Sequence, residues 1–221
     1  MGQAATLMHA LAHSIATLIL CRHYTSASVR AAELVALAEQ KGSLYWKANG
    51  LIWQGCLSAL TGQPSDAIEI LTTAVAAYRS TAATIYMPFV SLHLARAHAE
   101  LGKFTDAWHH IDDAIAGTEK SQEKWAEPEI HRTAGEIALM LPEAEETKAE
   151  ACFERALTVA RRHKAKSWEL RTATSLARLW RDQGERPAAH KLLASIYDWF
   201  TEGFDTLDLK QAKALLDELN A

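Results

Sequence analysis

Residues 55–74 read GCLSALTGQPSDAIEILTTA, and this stretch decides the fold. Gly55 lies in an apolar run, Gly62 and Pro64 interrupt it, and Ala67, Leu71 and Ala74 then follow at offsets of four and seven. Such offsets fall on one face of a helix. A glycine just past one helix, with Pro or Ser opening the next, is the stop-and-start chemistry of a tight turn between helices. The unit is helix, turn, helix, with small residues where the two helices cross closely.

The same triplet recurs along the chain as Ala31-Val35-Ala38, Ala107-Ile111-Ala114, Ala149-Phe153-Ala156 and Ala189-Leu193-Ile196. Taken in order with Ala67, the leading alanines are 36, 40, 42 and 40 residues apart. A second small mark stands upstream, at Gly55, Ala95, Gly135 and Ala177. It lies 12 residues before the alanine, or 14 at Gly135, where Leu141-Pro142-Glu143 makes room for an insertion. A fixed period of this size marks a repeat architecture. The spacing predicts five antiparallel helix pairs, roughly 4–41, 44–80, 84–118, 124–164 and 167–200, within one domain over 1–221. In the first pair Ser26 takes the glycine position and Ile19 the small one. A final amphipathic stretch carries Leu209, Ala212, Leu215, Leu216 and Leu219 on one face and predicts a capping helix over 206–220.

Composition agrees with an all-α fold. The 221 residues are 49% hydrophobic and 23% charged, with only five Pro and 10 Gly, residues that long helices tolerate poorly. The net charge of -4 offers no basic footprint for nucleic acid. Cys21, Cys56 and Cys152 are odd in number and far apart, so they predict buried free thiols in a reducing cytoplasm. Leu7 to Cys21 is broken by His9, His13 and Ser14, and reads as too short and too polar to cross a bilayer.

The register of Gly55, Gly62, Ala67, Leu71 and Ala74 resembles the tetratricopeptide repeat. That resemblance implies a right-handed α-α superhelix of about five pairs plus a cap, and a surface that binds protein or peptide. A more specific likeness runs through 154–171 (ERALTVARRHKAKSWELR), 175–180 (SLARLW), 197–206 (YDWFTEGFDT) and Asp208-Leu209-Lys210, with Glu127-Pro128-Glu129, Arg132 and Gly135-Glu136 before them. These segments are similar to the C-terminal tetratricopeptide region of bacterial regulators that join a class III nucleotide cyclase domain to a P-loop ATPase domain. The likeness implies the sensory or assembly end of such a protein, with cyclase or ATPase domains among its partners. Neither domain lies within these residues, so neither activity is carried over.

No P-loop, dinucleotide fingerprint, H-E-x-x-H or G-x-S-x-G is present, so the expectation is a non-enzyme without cofactor or metal. His9 and His13 share a helix face but leave a metal half-coordinated. Two sets of binding candidates remain. Trp46, Tyr86, Trp125 and Trp168 stand near the start of the first helix in four pairs, either as a strip for partner side chains or as packing between pairs. First helices line the groove in tetratricopeptide proteins. By that resemblance the groove takes Asn49, Ile52, Cys56 and Ala59, then Phe89, Leu92, Arg96 and Ala99. It continues with Glu129, Arg132, Glu136 and Leu139, then Arg171, Thr174, Arg178 and Arg181. Arginine's forked donor suits a carboxylate, so Arg132, Arg171 and Arg178 would grip an acidic peptide, a chain terminus or a small anion. The rival is internal neutralisation by Glu129, Glu136 and Glu169. The apolar helix 1, Leu7 to Leu20, further suggests a homodimer in which a second copy covers it.

Overall fold

The computed structural model describes residues 2–220, which form eleven α-helices and no strand. They are α1 (Gln3–Leu20), α2 (Tyr24–Gln40), α3 (Leu44–Leu60), α4 (Pro64–Ser80), α5 (Met87–Glu100) and α6 (Phe104–Ser121). After a 3-10 turn at Lys124–Ala126 come α7 (Glu127–Met140), α8 (Glu146–Arg162), α9 (Lys166–Asp182), α10 (Arg186–Tyr197) and α11 (Leu207–Asn220). The fold is all-α, five helix pairs followed by a last helix.

The turns show why the chain breaks where it does. Left-handed backbone occurs at Arg22, Gly42, Gly62, Ala82, Gly102 and Gln122, twenty residues apart each time. It resumes at Lys164 and Gly184, after the longer connection between α7 and α8. Around Gly102 the N–H of Gly102 donates to Ala99 O at 2.9 Å and that of Lys103 to His98 O at 2.9 Å, closing the last turn of α5 in a Schellman motif. Arg22 and His23 repeat this on Ile19 and Leu18. Proline then opens α4, α5, α7 and α10, where its missing N–H costs nothing.

This periodicity corrects the reading of the first pair. Ser26 lies inside α2, and Arg22 (φ 60) takes the glycine position. Ala27, Ala31, Leu34 and Ala38 are buried in α2 as Ala67, Leu71, Ala74 and Tyr78 are in α4. The leading alanine is therefore Ala27, 40 residues before Ala67, and the apparent spacing of 36 arises because Ala31 lies one helical turn past the equivalent position. A second correction concerns α1. Its 18 residues are long and apolar enough to cross a membrane by length and composition alone. Met8, Leu11, Ala12, Ile15 and Ile19 of that helix are buried, and α1 packs on α2 and α3.

The residues fall into two compact units that divide between Ala114 and Ile115, inside α6. In the first, Ile15, Leu34, Ile52, Trp53, Leu71 and Tyr78 are fully buried, the aliphatic ones each stabilising by about 1.5–3 kcal/mol. Gly55 is the point where α3 and α4 cross: a Cβ there would come within 2.6 Å of the Leu71 side chain. In the second unit Ile130, Ile137, Phe153, Leu170 and Leu176 form the core. Gly135 plays the same part as Gly55, since a Cβ would meet the Phe153 ring at 2.5 Å. Leu209, Ala212, Leu215, Leu216 and Leu219 of α11 are buried, and α11 packs on α9 and α10.

Candidate interaction surfaces

The arginines expected to grip an anion, Arg132, Arg171 and Arg178, all lie in the second unit, where carboxylates of α7 and α11 tie up the first two. Glu129 and Glu136 stand at i−3 and i+4 from Arg132 on α7, so all three share one helix face. Arg132 Nε donates to Glu129 Oε2 at 2.7 Å and Nη2 to Oε1 at 2.6 Å, a bidentate pair, while Nη1 reaches Glu136 Oε1 and Ser175 Oγ. Only 5% of its side chain is exposed. Burial works against its charge, but the two carboxylates outweigh that and hold its pKa above the ordinary arginine value. Arg171 Nε donates to Asp208 Oδ2 at 2.6 Å, and its guanidinium rides 4.8 Å over the Trp168 ring. Arg181 pairs with Asp182 and Glu218, and Arg178 is half-buried on α9. Glu169 is taken from the other side. Burial opposes its charge, yet hydrogen bonds from Lys166 and Arg161 hold its carboxyl below the ordinary value.

The positions expected to line the groove are largely interior. Asn49, Ile52, Cys56 and Ala59 are all buried, as are Phe89, Leu92 and Ala99. Asn49 Oδ1 accepts from Trp53 Nε1 at 3.1 Å, and burial pushes the Cys56 thiol up so that it stays protonated. The partly exposed stripe of α3 is Lys47, Leu51, Gln54 and Ser58, and that of α5 is Met87, Ser91, Leu94 and His98. The two stripes correspond at an offset of 40 and lie one or two residues from the expected line. Arg96 is the exception in the first unit, 36% exposed and paired with Glu100 at 3.1 Å.

The four aromatics behave differently from one another. Trp46 at the start of α3 meets the His9 ring of α1 edge-on at 6.0 Å, and Tyr86 before α5 meets Trp53 of α3 at 5.2 Å. Each is half-buried against the preceding first helix, as packing between pairs requires. Trp168 is half-buried beside Arg171, whereas Trp125 is 36% exposed. His9 and His13 stack on each other at 4.2 Å, with His13 Nδ1 on the His9 carbonyl. A cavity of about 230 Å³ in the second unit lies among Ile130, His131, Lys124, Arg155, Arg162 and Glu127. Burial and the neighbouring Arg155 push the His131 pKa down.

Two features went unread in the sequence. Asp208 and Glu218, the partners of Arg171 and Arg181, come from α11, more than thirty residues away, which no local spacing reveals. The exposure of Trp199 and Phe204 is the other, although the cluster of aromatics and carboxylates around them was visible.

No family profile and no curated protein matches this sequence. Among solved structures, the chain is similar to a Podosopora anserina protein provisionally described as a kinesin light chain with nearly identical TPR-like repeats. That protein aligns at a TM-score of 0.55 and 15% identity, over 99% of this chain and 98% of the other. A singly substituted variant of the same protein aligns at 0.56 and 16% identity, over 89% of this chain and 95% of that one. Identity this low speaks for fold and not for function. The chain has an all-α, TPR-like helical-repeat fold.

Proposed function

We propose that the chain is a non-catalytic protein-interaction scaffold, one repeat domain serving as the sensory or assembly part of a cyclase- or ATPase-linked signalling system in the cytoplasm. The observation that carries the scaffold reading is the TPR-like succession of helix pairs. Such repeats bury their small residues on their neighbours and leave a continuous stripe of side chains to a partner. The link to cyclase or ATPase domains rests on the likeness of 154–171, 175–180, 197–206 and 208–210, with Glu127-Pro128-Glu129, Arg132 and Gly135-Glu136, to that class of regulators. Contacts are assigned to the exposed Trp125 and to the half-buried Arg96, Arg178, Arg181, Trp46, Tyr86 and Trp168. The rival reading, a sensor for a small anion or peptide, loses its main donors, because Arg132 and Arg171 commit theirs to Glu129, Glu136 and Asp208. A second copy on α1 is the remaining partner, favoured by Leu7 at 46% exposure.

Affinity capture from source-cell lysate, followed by calorimetry with the single purified partner, tests this. Saturable binding to one protein is expected. A cyclase or P-loop ATPase domain in that protein supports the linkage, and its absence there removes the linkage alone. Retention of nothing above a blank matrix, beside a melting point raised by a small anion, would sink the scaffold reading.

A further inference from the structure

The connection between α10 and α11 carries an unusual surface. Within nine residues, Trp199, Phe204 and Leu207 are 58%, 47% and 43% exposed. Exposed aromatics in one short segment are the composition of an interface centre more than of ordinary surface. The segment is nevertheless held in place. Trp199 and Phe200 N–H groups donate to Ile196 O and Tyr197 O, the Thr206 N–H and hydroxyl both donate to Gly203 O, and Lys210 N–H donates to Thr206 O. Trp199 packs edge-on against Phe200 at 5.1 Å, and Phe204 leans on Tyr197 at 5.8 Å. A pre-ordered platform loses little entropy on binding.

The segment's own charge is one-sided. Asp198, Glu202 and Asp205 are exposed among these rings, and no Lys or Arg occurs between Lys191 and Lys210. A cation from another helix touches the patch: Lys166 Nζ lies 5.5 Å from the centre of the Trp199 ring and also binds Glu169 at 2.7 Å. The Trp199 ring thus already accepts a cation on its face, the kind of contact a Lys or Arg side chain makes with an aromatic ring.

We propose that Asp198–Leu207 is a docking site for a cationic amphipathic segment of another protein, its apolar side chains on Trp199, Phe204 and Leu207 and its Lys or Arg side chains on Asp198, Glu202 and Asp205. This deepens the scaffold reading and rests on it. An anionic lipid surface would be repelled by the same carboxylates.

The test uses the full chain with a fluorescent Lys/Leu amphipathic peptide, read by anisotropy in about 0.15 M salt, with a Glu/Leu peptide of the same length as control. Two variants accompany it, W199A/F204A and D198N/E202Q/D205N, checked for an unchanged melting point since these side chains are exposed. Expected is saturable binding of the Lys/Leu peptide alone, weakened about tenfold or more by the aromatic pair and made less salt-dependent by the charge triple. Equal binding to both variants, or equal binding of the Glu/Leu peptide, overturns the site. So does self-association of the native chain that W199A/F204A abolishes, which would make a second copy the occupant. A captured natural partner that binds W199A/F204A undiminished overturns this site while leaving the scaffold reading standing.

Discussion

At the scale of single residues, two positions show where stability is held and where it is given up. Arg132 is buried with both neighbouring carboxylates on one helix face, so it works as an internal fastener joining α7 to Ser175 on α9. Removing one partner of a buried pair strands the other charge. Arg132→Ala should therefore cost about 3–5 kcal/mol in urea denaturation, far beyond the effect of truncating an exposed arginine. A loss below about 1 kcal/mol would return Arg132 to the role of a surface ligand grip. Ala82 is the opposite case. It is exposed in left-handed backbone (φ 63), where Gly42 and Gly62 stand at equivalent turns. A Cβ there costs about 1–2 kcal/mol, partly offset by the entropy glycine loses on folding. Ala82→Gly should raise stability by about 0.5–1 kcal/mol, and a fall would mean that the turn is set by its neighbours and not by its own torsion.

At the scale of elements, the helix pairs were legible because their cause is local. Gly55 and Gly135 sit where a side chain would strike Leu71 or Phe153, the bulky residues at i+4, and the alanines on either side of them, at i and i+7, mark the same close crossing. The first pair is harder to read because arginine in a left-handed turn carries no sequence signature, and Arg22 stands where Gly62, Gly102 and Gly184 stand in other pairs. The groove was less legible. The face of α3 or α5 that stays open depends on how each pair turns against the next within its unit, and periodicity does not encode that rotation. Hence Asn49, Ile52 and Cys56 proved interior while Lys47, Leu51 and Gln54 are partly open. The last helix, by contrast, follows from its own pattern. Five residues of α11 are buried, and Asp208 and Glu218 hold Arg171 and Arg181. Ending the chain at Thr206 should lower stability by about 5 kcal/mol or more and create dye-binding apolar surface on α9 and α10. Unchanged stability with no dye binding would show that α9 and α10 close the core by themselves.

At the scale of the whole molecule, the net charge of -4 says little, and histidines decide the response to acid. His98 of α5 stacks on His110 of α6 at 5.2 Å, and His131 lies in the second unit beside Arg155. All three have pKa values below the ordinary 6.5, with burial as the leading cause. Each stacked ring also faces other charges. Asp106 pulls His98 up and Lys103 pushes it down, while Asp113 and Asp106 pull His110 up against His98 and His109. Because folding lowers these values, the unfolded chain binds more protons below about pH 6.5. The full contribution to stability is thus present above that pH and declines as pH falls toward the folded values. Glu169 acts in a separate window: folding lowers its value, so its contribution is held above 4.5 and lost on further acidification. Urea midpoints should fall steadily from about pH 7.5 to about 5.5, well before carboxylates titrate. His98→Gln/His110→Gln should flatten most of that slope, and His131→Gln a further part. A midpoint constant over this range in the native chain, or a slope that survives all three substitutions, would mean that these rings are open enough in solution to accept a proton at no cost to the fold.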